Sequence, residues 1–161
     1  MVRASILFSL VVLLLVSLNG CSSPGHFQPA SPASQDDALL YLYRPKADNP
    51  GAQPLRRSYP DMILDGNSIG VLKFKEYKTV SIKPGDHTLT ATGLTPQASW
   101  RPVDKGLKFK IQAGETKYIK LDVQYNIKDM HVLQSGAEYL IFLTPMKANS
   151  AIYEIRETSP E

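Results

Sequence analysis

This 161-residue sequence predicts an all-β fold, an antiparallel β-sandwich of about seven strands. Three observations carry that prediction. Apolar and polar residues alternate in several short runs, the period of a strand with one buried and one wet face. Turn residues (Gly, Pro, Asp and Asn) separate those runs at regular intervals. The chain has a single cysteine, so no disulfide framework replaces a core. A domain of about 120 residues can bury roughly two-thirds of its unfolded surface and fold without one.

Before the strands comes a segment of different character. Arg3 is the only charge in the first 35 residues, and the run Ile6 to Val16 is apolar apart from Ser9. Eleven residues suit the core of a secretory signal and are too few to span a bilayer as a helix. Leu18-Asn19-Gly20-Cys21 follows. The stretch resembles a bacterial lipoprotein signal, with residues 1–20 removed between Gly20 and Cys21. That resemblance implies a diacylglyceryl thioether on the Cys21 sulfur and a fatty-acyl chain such as palmitate on its freed amine. Each buried methylene contributes about 0.8 kcal/mol, so two or more chains anchor a protein stably. Ser22 stands where many lipoproteins retained at the inner membrane carry Asp. By the same resemblance, the outer membrane is the expected destination.

Residues 21–37 read as the lipidated cysteine and a flexible tether. Pro, Ser, Ala and Gln dominate Ser22 to Asp37, without apolar periodicity. His26 and Phe27 could form a docking element there, but the composition favours a solvated linker. Asp36 and Asp37 read as solvated charges.

The sandwich domain is expected over residues 38–157. Leu39 to Tyr43 is apolar on both faces, as a central strand requires. The break from Arg44 to Ser58 contains Pro45, Pro50, Gly51 and Pro54 and reads as a crossover loop. Asp65-Gly66-Asn67-Ser68 separates Met62-Ile63-Leu64 from Ile69-Gly70-Val71-Leu72, the grammar of a hairpin. Val80 and Ile82 end a strand, and Pro84-Gly85 turns the chain. In Thr88-Leu89-Thr90-Ala91-Thr92 the threonines share one face. Leu107 to Ile111 and Ile119 to Tyr125 alternate strictly, with Ala113-Gly114 between them as the turn of a hairpin. Tyr139 to Leu143 is a further strand. Thr144 with Pro145 at the next position could open a short C-terminal helix, and Ile152 and Ile155 are spaced to share its face. That helix is preferred to a last edge strand. Val80 to Asp86 echoes Phe109 to Glu115, and two hairpins obeying the same turn chemistry explain this more simply than a duplication.

The order Ala38-Leu39-Leu40-Tyr41-Leu42-Tyr43-Arg44-Pro45, then Tyr59-Pro60-Asp61 through Gly70, then Tyr77 and Lys83-Pro84-Gly85-Asp86-His87 resembles the domain-of-unknown-function 2846 family. The resemblance covers Ala38 to Pro145. It implies a small all-β domain found in bacterial lipoproteins and other secreted proteins. It supplies no catalytic residues to carry over.

Function classes narrow by exclusion. A net charge of +3 is too mild to point to nucleic acid. One cysteine excludes zinc sites built on two or more thiolates. There is no Gly-x-Ser-x-Gly elbow, His-Glu-x-x-His or Gly-rich phosphate loop. No cofactor and no metal site is expected. His87 reads as a strand-opening histidine bonded to nearby backbone, and His131, two residues after Asp129, reads as a loop residue. Trp100, the only tryptophan, with Arg101 beside it, is the best candidate binding pair, an aromatic platform for a sugar or peptide. A loop aromatic packed over the open end of the sandwich is the plainer reading. Lys73, Lys75, Lys78, Lys108, Lys110, Lys117 and Lys120 could form a basic sheet face, although a solvated face that discourages edge aggregation is favoured.

The expectation is a cell-envelope lipoprotein on the periplasmic face of the outer membrane. It would be a non-enzymatic binding or structural module, held by its lipid anchor, for an envelope protein or cell-wall polymer. The alternative is an enzyme acting on an envelope substrate, with Asp104, Arg101 or His131 in a loop-end site.

Overall fold

A computed structural model describes residues 27–45, 59–95, 98–99, 103–125 and 139–161. It is mostly β, with nine strands in two sheets, a separate two-strand hairpin and one short helix. The arrangement is the expected sandwich, somewhat richer in strands than about seven.

Strand β1 (Ala38–Arg44) is buried at all seven positions. The reason is its place in the middle of a five-stranded sheet, with material on both faces. Ala38, Leu40 and Leu42 point into the space between the sheets. Leu39, Tyr41 and Tyr43 point the other way, into a second core under the helix. Uninterrupted apolar sequence is what a strand buried on both faces needs.

The chain crosses to the other sheet before β2 (Asp61–Leu64), which pairs with β3 (Asn67–Val71) as the expected hairpin. Asp65 and Gly66 sit between them with φ of +50° and +83°. Two consecutive left-handed residues make the turn whose twist matches paired strands, and Asp-Gly is its preferred sequence. Strand β4 (Glu76–Ile82) returns to the first sheet, antiparallel to β1. Strand β5 (Gly85–Ala91) lies in the second sheet against β2.

The chain then makes an excursion containing β6 (Leu94–Thr95) and β7 (Ala98–Ser99). Strand β8 (Lys105–Ile111) pairs antiparallel with β5. Strand β9 (Thr116–Tyr125) crosses back and runs parallel to β1. Strand β10 (Tyr139–Met146) pairs antiparallel with β9. Helix α1 (Ala148–Ile155) follows, then β11 (Ser159–Pro160), parallel to β4. The two sheets have the strand orders β10-β9-β1-β4-β11 and β3-β2-β5-β8.

Three sequence expectations change. Pro84-Gly85 and Ala113-Gly114 do not close hairpins, because the strands flanking each turn lie in different sheets. Both are arches over the same end of the sandwich, which also accounts for their similar sequences. The turn residues reverse the chain, but β1 lies between β4 and β9 and takes the pairing that each arch would otherwise close. Thr144 and Pro145 do not start the helix; both lie in β10, and Lys147 occupies the N-cap. Pro145 is tolerated because β10 is an edge strand, so its missing N–H need not break a ladder bond. The helix that follows buries Ala151 and Ile155, one turn apart, against the second core. Finally, Phe27 is not solvated. It packs against the second core.

Candidate functional site

Four polar or aromatic constellations stand out around this frame. The first is the outer face of the five-stranded sheet. Alternation along β1 places Tyr41 and Tyr43 on that face, and the parallel register sets Tyr41 opposite Tyr118 of β9. The two rings stack with centroids 5.2 Å apart and planes 11° from parallel. Phe27 stands edge-on to Tyr41 at 5.5 Å and to Tyr77 at 5.2 Å. The Ala30 N–H donates to the Tyr41 hydroxyl at 2.8 Å. Edge-on aromatic pairs add about 0.5–1.5 kcal/mol beyond the area they bury. The segment leading into the domain is thus held by a ring and a hydrogen bond. Burial, then the neighbouring Tyr41, pushes the Tyr77 and Tyr118 hydroxyls up from their ordinary pKa.

The second constellation joins helix to sheet. The Tyr43 hydroxyl donates to Glu154 Oε2 at 3.0 Å, and Lys120 Nζ meets Glu154 Oε1 at 3.2 Å. Burial raises the Tyr43 pKa strongly, and the Glu154 carboxylate raises it further. Tyr43 therefore stays a neutral donor.

The third lies near the arches. His87 Nδ1 is 2.6 Å from Asp65 Oδ2, and Nε2 is 2.8 Å from the Lys83 carbonyl oxygen. The imidazole stacks on Phe109, its cross-strand neighbour, at 5.5 Å. Asp65 Oδ1 also accepts the Thr88 N–H at 2.8 Å. Both ring nitrogens face acceptors, which suits the imidazolium with its two donors. Burial lowers the His87 pKa, but the Asp65 carboxylate and the Lys83 carbonyl outweigh it and the net shift is upward. Hydrogen bonds from His87 and then Thr88 hold the Asp65 carboxyl below its ordinary value. The sequence reading of His87 as a backbone-bonded residue agrees with this geometry. On the same side of the domain Lys83 meets Asp37 at 2.6 Å, so Asp37 is paired rather than merely solvated.

This constellation sets a pH dependence. Stabilisation by His87 is complete below its unfolded pKa and is lost as pH rises through the raised folded value. Stabilisation by Asp65 is complete above its unfolded pKa and is lost as pH falls through the lowered folded value. Together they contribute most between about pH 4 and 6.5. His87→Ala is expected to cost about 1–2 kcal/mol in that window, at the low end because Asp65 is half exposed. It should also flatten the decline in stability above pH 6.5. Thermal melts of both proteins from pH 3 to 8 measure this, and parallel curves would contradict it.

The fourth constellation occupies the end of the inter-sheet space reached by Arg44. Arg44, Glu76 and Lys78 are all buried, and all share the core-facing side of β1 and β4. The Arg44 guanidinium lies 5.8 Å over the Phe74 ring. Burial pushes its pKa down to about 10, so it stays charged at neutral pH. Glu76 Oε2 accepts the Lys73 N–H at 2.9 Å, and Oε1 is 3.5 Å from Lys73 Nζ. Lys78 has a side chain only 3% exposed and forms an ion pair with Glu161. Alternating lysines had read as one solvated face, but Lys78 belongs to the interior. Lys108 and Lys110 are exposed on the outer face of the second sheet, as expected.

Several residues singled out by sequence are not brought into these groups. Gly20, Cys21, His26, Trp100, Arg101, Asp129 and His131 lie outside the described residues. Asp104 accepts the Gly93 N–H at 3.0 Å, closing the base of the excursion between β5 and β8. Among the described residues no three His, Cys, Asp or Glu side chains are grouped as metal ligands. Sequence missed Glu154 and Glu161, and it placed Phe27 in a solvated linker and Lys78 on a solvated face. A lone aromatic in a Pro/Ser-rich stretch was the one available signal for Phe27; the others depend on which distant elements meet.

No curated protein and no solved structure matches the chain. A family does, over residues 34–137, from just before β1 to just before β10. That span takes in strands β1 to β9 and most of both cores. The chain belongs to the family described as "Protein of unknown function (DUF2846)".

Proposed function

We propose that this protein is a cell-envelope lipoprotein, anchored through Cys21 to the periplasmic face of the outer membrane. Its domain serves as a non-enzymatic binding or structural module for an envelope protein or cell-wall polymer. One observation carries the reading. The only cysteine stands directly after an apolar run of signal length, in Leu18-Asn19-Gly20-Cys21. The docking of Phe27 fits the same reading, because Phe27 packs on the domain and stands only six residues after Cys21. Six residues reach at most about 20 Å when extended, whereas the full stretch from Cys21 to Asp37 could reach about 55 Å. A lipid on Cys21 would hold the domain close to the bilayer.

The polar constellations support a binding role over a catalytic one. His87 uses both ring nitrogens in structural contacts, Asp104 closes a loop, and Glu154 ties helix to sheet. Exposed apolar side chains offer contact points, Tyr153 on α1 (73% exposed) above all. A photoreactive residue placed at Tyr153 in living cells is expected to capture an envelope protein or cell-wall fragment. Absence of any envelope adduct, with an unchanged envelope in a deletion strain, would count against the proposal.

A further inference from the structure

Among the described residues, the β4 edge opposite β1 is covered by three, Ser159 to Glu161. Ser159 and Pro160 lie parallel to Glu76 and Tyr77. The Ser159 N–H donates to the Lys75 carbonyl at 2.8 Å, and the Glu161 N–H donates to the Tyr77 carbonyl at 3.1 Å. Both bonds come from alternate residues, so the nitrogen of Pro160 faces away from β4. Its missing N–H costs nothing there, and it blocks addition of a further strand.

The Glu161 side chain reaches Lys78. The lysine is shielded, and the contact is ionic, without hydrogen-bond alignment. Gly70 of β3 makes room for it. A Cβ at Gly70 would lie 3.2 Å from Lys78 Nζ and 3.7 Å from Glu161 Oε1. Buried ammonium, absent side chain and strand edge together form a built site for one carboxylate on an extended chain. A shielded ammonium strongly favours a carboxylate over a neutral occupant. Yet Ser159, Pro160 and Glu161 are all exposed, so little apolar burial holds the strap in place.

We infer that the β4 edge with Lys78 is a strand-addition site for an extended acidic peptide of a partner protein, and that residues 159–161 fill it in cis. Main-chain bonds to Lys75 and Tyr77 supply the docking, and the Lys78 ion pair supplies the selectivity. Displacing the strap exchanges one carboxylate for another and leaves no ammonium unpaired. The inference holds whether or not the chain is lipid-anchored.

The test uses the chain ending at Thr158 and a peptide with the sequence of residues 156–161, amidated at its end. Titration followed by NMR is expected to show binding centred on β4. A peptide with Gln in place of the last Glu should bind at least tenfold more weakly, and the full chain should bind the acidic peptide at least tenfold more weakly. Lys78→Met in the shortened chain should abolish the preference for Glu over Gln. A folded shortened chain that ignores the peptide, or binds both peptides alike, overturns the inference. Should the shortened chain not fold, the full chain with Glu161→Gln decides. Hydrogen exchange at the Ser159 and Glu161 amides should rise at least tenfold while the β1 amides stay protected. Unchanged exchange, or loss of protection throughout, would overturn it.

Discussion

Cys21→Ser is expected to abolish lipidation and to leave a lipid-free precursor that keeps residues 1–20. Serine lacks the thiol that takes the diacylglyceryl group, and without that group the signal is not cut before residue 21. The effect on lipidation is all-or-none because the thiol is the acceptor, and in the mature wild-type chain the acyl chains supply the membrane affinity, each buried methylene adding about 0.8 kcal/mol. Detergent partitioning and the mass of the mature chain measure it. A Cys21→Ser protein that still carries diacylglycerol, or that is cut before residue 21, would contradict the anchor. The short reach between Cys21 and Phe27 adds a second consequence. Releasing Phe27 from its two tyrosines should let the domain stand farther from the bilayer, without changing lipidation.

The largest expected change in stability falls at Tyr41. Its ring is 2% exposed and touches Phe27, Tyr77 and Tyr118, and its hydroxyl accepts the Ala30 N–H. Tyr41→Ala removes a buried aromatic from the middle strand and leaves a cavity against α1. About 3–5 kcal/mol is expected, a large share of the roughly 5–15 kcal/mol that keeps a domain folded. Phe27→Ala alone should cost about 1–2 kcal/mol. In the Tyr41→Ala background that cost should shrink by at least about 0.5 kcal/mol, because the two rings share one contact. Urea titration of the four proteins gives the cycle. Strict additivity would mean that Phe27 does not rest on Tyr41.

Much of this fold is legible in the sequence where a residue's neighbours along the chain decide its state. The double-sided apolar run Leu39 to Tyr43 can only be a covered strand, and it is. Asp65-Gly66 demands two left-handed residues, and both adopt them. What fails is anything decided by distant partners. Pro84-Gly85 and Ala113-Gly114 specify a reversal but not the sheet that receives the next strand. Ser159-Pro160 carries no strand propensity and pairs because the β4 edge is free. Lys75 and Lys78 look equivalent in sequence. Lys75 takes φ +59° before β4, whereas Lys78 points between the sheets toward Glu161. No local pattern predicts that meeting, or that of Tyr43 with Glu154, 111 residues later. The cysteine is the opposite case. The reading proposed for it rests only on the apolar run before it and the small residue beside it, and the mass of the mature chain tests it.

The central claim is the lipid on Cys21, and the intact mass of the protein extracted from bacterial membranes tests it most directly. The account predicts a chain beginning at Cys21 and carrying the added mass of a diacylglyceryl group and an acyl chain. A lipid-free chain, or one that begins at any other residue, would contradict it.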